Sequence, residues 1–202
     1  MKYSPEYIAR SLSRQRLGGT SMINLTGNGE TLIQPEIVDL TKLLLKDGHF
    51  VEIVTNGTMT KRINDILDQP KECLSRLFFK ISFHYKELNR LGIMDSFFSN
   101  VRVIHEAGAS FTLELMAYDG IENDIEKKKN ICLENVGAIC QATIGRNQHK
   151  NADLLSNHTK KEFEAKWNTL DSPMMKFKLE MLGIKRKEFC YAGAWSLFVN
   201  LY

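Results

Sequence analysis

Residues Ile23-Asn24-Leu25-Thr26-Gly27-Asn28-Gly29-Glu30-Thr31-Leu32 carry an apolar strand into a glycine-rich turn tipped by a carboxylate. Glycine at 27 and 29 lets backbone come within hydrogen-bonding distance of a small molecule, because no Cβ intervenes and positive φ costs little there. The N–H and C=O groups so exposed can read a polar ligand. A second strand, Val51-Glu52-Ile53-Val54, ends in Thr55-Asn56-Gly57-Thr58. Later apolar runs end in polar residues too: Ser82 and His84, Glu114 and Met116, Gln141 and Thr143. Side chains alternate along a strand, so Ser82 and His84 share a face, as do Thr112, Glu114 and Met116. A carboxylate on a buried strand face requires a cation or a ligand, which makes Glu114 either half of a structural ion pair or a ligand-facing group. His84 could be an acid, a base, a metal ligand or a hydrogen-bonding loop residue. Asn56 before Gly57 serves turn geometry or a ligand. His49, His105, His149 and His158 fall at helix ends or in loops. The sequence holds no serine-histidine-acid order, no phosphate-loop lysine and no H-E-x-x-H, which removes the commonest hydrolase and nucleotidase chemistries.

Strands and helices must alternate to place these residues at successive strand ends. A helix is expected from Ser4 to Arg16, with Ser4 as cap and Pro5 at the first helical position. Strand Met22 to Leu25 precedes a helical pattern over 36–45 that Gly48 stops. Strand Val51 to Val54 precedes a helix from Lys61 to Leu67. Strand Leu77 to Phe83 precedes a long polar loop and a helix from about Asp95 to Glu106. Strand Phe111 to Met116 precedes a charged helix around Asp124 to Glu134, and Gly137 to Ile144 reads as one more strand. Repeated βα steps in one direction predict parallel strands with right-handed crossovers, in a doubly wound sheet or a barrel. Active sites of such folds form at the carboxyl ends of the strands. Past Asn147 the pattern changes to a polar loop and helices near 160–167 and 173–182, and the strand-like segment from Phe189 to Tyr202 ends abruptly.

Composition narrows the classes. A 202-residue chain with 43% hydrophobic and 25% charged residues suits one globular domain or most of a larger one. No apolar run reaches the ~18 residues of a membrane span, and Met1-Lys2-Tyr3-Ser4-Pro5 leads into a polar amphipathic segment without the apolar h-region of a signal peptide, so the cytoplasm is the default compartment. A net charge of +3 does not argue for nucleic acid. Lys127-Lys128-Lys129 and Lys185-Arg186-Lys187 read as solvated faces. Cys73, Cys132, Cys140 and Cys190 are too far apart for a self-contained zinc site and do not form a disulfide framework.

The order of these motifs resembles the radical S-adenosylmethionine enzymes, over roughly residues 20 to 147. Gly27-Asn28-Gly29-Glu30-Thr31-Leu32 is similar to that family's G-x-G-E-P-L turn, with Thr31 where proline is usual. Thr-Asn-Gly at 55–57 and Ser-Phe-His-Tyr at 82–85 follow in the family's order. The resemblance implies a partial (β/α)6 TIM-like barrel over residues 1–147, lacking its first βα unit, with a helical C-terminal extension over 148–202. It implies that Gly27, Asn28, Gly29 and Glu30 receive the methionyl ammonium of S-adenosylmethionine and that Ser82 and His84 lie near its carboxylate or ribose. Asn56 and Glu114 would face the same cavity, and Ile144 would lie where the family packs the adenine. Phe189-Cys190-Tyr191-Ala192-Gly193-Ala194-Trp195-Ser196 resembles the start of an auxiliary iron–sulfur extension of the SPASM or twitch type, with Cys190 as its first ligand.

One departure is consequential. The family's [4Fe–4S] cluster is held by a C-x3-C-x2-C loop after the first strand, and no cysteine precedes Ser21. The leading expectation is therefore a piece of a radical S-adenosylmethionine enzyme. Intact, such an enzyme cleaves S-adenosylmethionine reductively to a 5′-deoxyadenosyl radical, with an electron donor and a peptide or protein substrate. The alternative is a clusterless module that binds S-adenosylmethionine or a peptide, and a third reading is an α/β enzyme binding phosphate at Gly27 to Gly29. Neither nucleic acid nor membrane is an expected partner. A missing first strand would expose an apolar sheet edge and promote self-association.

Overall fold

The computed structural model describes residues 1–147, 153–185, 187–188 and 196–199. Two short helices, α1 (Pro5–Ser11) and α2 (Arg14–Leu17), open the chain. There follow β1 (Met22–Leu25), α3 (Glu36–Lys46), β2 (Phe50–Thr55), α4 (Thr60–Leu67), α5 (Lys71–Leu74) and β3 (Leu77–Ser82). Next come α6 (Tyr85–Leu91), α7 (Met94–Glu106), β4 (Ser110–Ala117), α8 (Ile125–Val136) and β5 (Gln141–Ile144). A two-residue ladder, β6 (Arg146–Asn147) with β7 (Asp153–Leu154), precedes α9 (Lys160–Trp167) and α10 (Pro173–Met181).

The first five strands form one parallel sheet in the order β1-β2-β3-β4-β5. Each strand pairs with the next in sequence, with Ile23 beside Val51, Ile53 beside Phe79, Ile81 beside Leu113 and Leu115 beside Ala142. Right-handed crossovers in an unbroken strand order put every intervening helix on the same side. A doubly wound sheet would reverse its order at a switch point. The winding is therefore consistent with part of a (β/α) barrel.

Alternation along the strands separates two faces. Val51, Ile53, Phe79, Ile81, Leu113, Leu115 and Ala142 are buried beneath the helices, where they meet Leu40 and Leu44 of α3, Ile63 and Ile66 of α4, and Phe97, Phe98 and Val101 of α7. Full burial of each such aliphatic or aromatic side chain is worth about 1.5–3 kcal/mol, so this face holds the sheet to its helices. The opposite face is open: Met116 is 47% exposed while its neighbour Leu115 is 1%. It carries Asn24, Glu52, Lys80, Ser82, Thr112, Glu114, Gln141 and Thr143, none of them fully buried.

Among the described residues the far side of β5 is flanked by α10 and not by another strand. Ala142 N–H donates to Ser172 Oγ at 2.7 Å, and Met175 and Leu179 bury themselves alongside.

Three expectations need correction. The opening helix breaks at Leu12, because Ser13 is extended and Arg14 N–H turns to Asp47 Oδ2 at 2.8 Å. The polar stretch after β3 is helix α6, hidden from periodicity because it buries only Leu88. Finally, β5 starts at Gln141, since Gly137 adopts φ +67° to cap α8.

Candidate functional site at the carboxyl ends of the strands

The turn after β1 is organised from within. Gly27 N–H donates to Thr31 Oγ1 at 3.1 Å, so the threonine standing in the proline position closes the turn with its hydroxyl. Positive φ occurs at Gly29 (+106°) and not at Gly27, and no heavy atom lies within 4 Å of where a Gly29 Cβ would stand. Glu30 caps the 3-10 turn that follows, its Oε1 accepting from Leu32 N–H at 3.0 Å. The same carboxylate accepts from Thr55 Oγ1–H at 2.6 Å and, through Oε2, from Asn56 N–H at 2.7 Å. Glu30 thus ties the β1 loop to the β2 loop, and what the turn offers a ligand is backbone.

The β2 loop is fixed just as tightly. Gly57 N–H donates to Thr55 Oγ1 at 3.1 Å, and Asn56 Oδ1 accepts from Thr58 N–H and Oγ1–H at 3.0 and 2.6 Å. The Asn56 carbonyl therefore performs turn chemistry. From beneath, buried Asn100 of α7 donates to Gly57 O at 2.9 Å. Gly57 has φ +72°, and a Cβ there would lie 2.8 Å from Ile81 Cγ2 and 2.9 Å from Phe97 Cε2.

After β3, Phe83 N–H continues the ladder to Glu114 O at 2.8 Å while its ring packs into Phe97 and Phe98. Ser82 and His84 flank it, Ser82 half-buried and His84 exposed at the amino end of α6. Glu114, in register beside Ser82, forms an ion pair with Lys80 at 3.2 Å. A protein cation therefore satisfies this carboxylate. Ile144 points its side chain into the core under the helices, whereas its neighbour Thr143 stands on the open face and accepts from Lys178 Nζ at 2.7 Å. Asn24 Nδ2 donates to Glu52 Oε2 on the same face.

The β4 loop carries residues that sequence reasoning missed. Asp119 accepts from Asn157 N–H at 2.7 Å and from Ser156 Oγ–H at 2.5 Å; these bonds, the backbone one foremost, hold its carboxyl below the usual range. Lys128 is not on a solvated face. It is 3% exposed, donates to Asn123 O and lies with its ammonium 5.0 Å from the Tyr85 ring centroid. Burial pushes its ammonium below the ordinary lysine value. A triple lysine run gives no signal that its central member turns inward.

Cys132 and Cys140 are fully buried, and the Cys140 thiol beside it, with burial, pushes the Cys132 thiol up. Cys73 is partly exposed in α5, which leads into the amino end of β3. Cys190 lies outside the described residues. Among the described residues no three His, Cys, Asp or Glu side chains converge to hold a metal ion. Also among them, no helix is long and apolar enough to cross a membrane.

No family model matches the sequence, and no curated protein matches it significantly. Solved structures share its fold. SuiB from Streptococcus suis superposes with a TM-score of 0.59 at 12% identity, over 89% of this chain and 41% of SuiB. SuiB bound to S-adenosylmethionine gives the same TM-score and identity over 89% of this chain and 42% of that one. Archaeal TYW1 gives 0.56 at 15% identity, over 84% of this chain and 63% of TYW1. The chain thus spans about two fifths of SuiB and under two thirds of TYW1. At these identities the likeness shows the fold alone: a parallel five-stranded sheet with flanking helices, consistent with a partial TIM-like barrel.

Proposed function

We propose that the chain binds S-adenosylmethionine at the carboxyl ends of its parallel strands, as the half-barrel core of a radical S-adenosylmethionine-type protein. One observation carries this reading: the Glu30 carboxylate locks two successive strand-end loops together and leaves the Gly29 backbone beside open space. The solved complex of the similarly folded SuiB with S-adenosylmethionine supports the choice of ligand. Gly27, Asn28 and Gly29 would receive the methionyl ammonium on backbone, with Glu30 holding the turn in place. Ser82 and His84 would meet the carboxylate or ribose, Asn56 would border the cavity, and the backbone at Ile144 would border the adenine.

The described residues do not fit a [4Fe–4S] cluster. Such a cluster needs closely spaced thiolates, whereas Cys132 and Cys140 are buried and Cys73 leads into the opposite end of the sheet. We therefore assign no step of reductive cleavage to this chain. A radical reaction, its electron donor and its substrate belong to a protein in which cluster thiolates are supplied. The similarity to SuiB solved with its precursor peptide SuiA favours a peptide as that substrate.

The test is equilibrium binding of S-adenosylmethionine to the purified chain, by calorimetry. Saturable binding that weakens at least ~10-fold, or 1.4 kcal/mol, in the Ser82→Ala/His84→Ala double variant is expected. Absence of saturable binding, or binding indifferent to that variant, sinks the reading. Affinity for inorganic phosphate in its place would revive the phosphate reading of the glycine turn.

A further inference from the structure

We propose that the open face of the sheet grips a substrate carboxylate between Lys80 and Lys178. The inference rests on the reading above for what occupies the strand ends, and it names the chemistry of the molecule that lies beneath.

Two ammonium groups stand on this part of the face, and one of them, Lys80, holds the carboxylate of Glu114. Lys80 is paired with Glu114 at 3.2 Å, and the two side chains are 31% and 20% exposed. Lys178 comes from α10 and reaches the open face past β5, where it donates to the neutral hydroxyl of Thr143 at 2.7 Å. Burial pushes the Lys178 ammonium below its ordinary value; Glu114 draws it back up, and the charges of Lys80 and Arg146 oppose that. The other acid on the face, Glu52, is bound by the Asn24 amide. A half-buried cation resting on a neutral acceptor lacks a counter-charge. A carboxylate brought by a ligand supplies it, since the positive charges of Lys80, Lys178 and Arg146 outnumber the single carboxylate of Glu114 here.

The height of the cluster says which ligand this is. Lys80 stands two residues before Ser82 on β3, roughly 7 Å below the strand ends at the strand rise. Thr143, which holds Lys178, is in register with Met116, two residues beyond the Glu114 that pairs with Ser82, so a carboxylate between the two lysines approaches from beneath, at Lys80, and reaches up to the level of Ser82. Thr112, Met116 and Gln141 complete the surround with small polar and flexible apolar contacts.

The experiment is a titration of the ¹³C,¹⁵N-lysine-labelled chain with sodium acetate, against sodium chloride at equal ionic strength, followed by NMR of the lysine side chains. Saturable shifts are expected at Lys80 and Lys178 and none at exposed Lys61. In Lys178→Gln the acetate affinity should drop at least ~10-fold, and in Glu114→Gln, where the competing carboxylate is gone, it should rise several-fold. Shifts at every lysine alike, or an affinity unchanged in both variants, overturn the proposal. The titration is repeated with S-adenosylmethionine present. Persistence of the acetate shifts assigns the carboxylate to the substrate, while their abolition assigns it to the cofactor's methionyl group and overturns the proposal. Tighter saturable shifts with inorganic phosphate would also overturn it. If S-adenosylmethionine itself fails to bind, the cofactor reading falls while the acetate shifts still decide the lysine pair.

Discussion

Glu30 and Asn56 lie 26 positions apart in sequence, yet a 2.7 Å bond from the Asn56 N–H to the Glu30 carboxylate joins their loops. Thr55 reinforces the junction at 2.6 Å. Hydrogen bonds to charged groups are worth about 1.5–3 kcal/mol each. Glu30→Ala should therefore cost about 2–4 kcal/mol in urea denaturation and abolish S-adenosylmethionine binding. Glu30→Gln, which keeps the shape and loses the charge, should fall between. A Glu30→Ala chain as stable as the parent would show that the clamp is incidental.

Gly57 and Gly29 both have positive φ, but only Gly57 lacks room for a side chain. Gly57→Ala adds left-handed strain to overpacking against Ile81 and Phe97, for a loss of about 2–4 kcal/mol. Gly29→Ala bears the strain alone and should cost about 1 kcal/mol, while weakening ligand binding more than its stability loss explains. Paired denaturation and binding measurements on the two variants separate a packing glycine from a contact glycine.

Asp119 binds the β4 loop to residues 156 and 157, and its carboxyl is held low by those bonds. A depressed folded pKa means that the contribution is complete above the unfolded value of about 3.9 and fades as pH falls through the lower folded value. Hydrogen-exchange protection of the Asn157 amide should hold at neutral pH and decline below about pH 4. Asp119→Asn should remove that pH dependence; a protection profile identical to the parent's would contradict the assignment.

Cys132 and Cys140 should resist iodoacetamide in the folded chain, since both are fully buried and the Cys132 thiol is held protonated. Cys73, partly exposed, should be alkylated before either of them. Peptide mapping after a brief native pulse checks the order, and early labelling of Cys132 would mean that α8 opens readily.

The strands and the main helices could be read from the chain because apolar alternation, glycine stops and helical stripes are local properties, whereas the residues alone left the strand order open between a doubly wound sheet and a barrel. Gly27–Gly29 and Thr55–Gly57 were likewise visible as strand-end turns. What escaped was pairing across distance. Nothing near Glu30 announces Thr55, and the partner of Glu114 is known only once β3 and β4 are in register, which brings Lys80 within reach. Lys128 looked like surface because periodicity cannot see the Asn123 carbonyl and the Tyr85 ring that receive it. α6 was missed for the opposite reason: its interactions are local, but they bury too little to leave a stripe.

The bond from Ala142 to Ser172 gives the sheet a polarity of growth. With α10 occupying the β5 margin, a further strand could join there only by prising that helix away, whereas four-residue β1, with Met22 54% exposed, is the other outermost strand among the described residues. Any polypeptide that lengthens this sheet, whether another part of the same protein or a second copy in an aggregate, therefore meets far less resistance alongside β1. A lysine or proline placed in β1 would oppose aggregation at that margin.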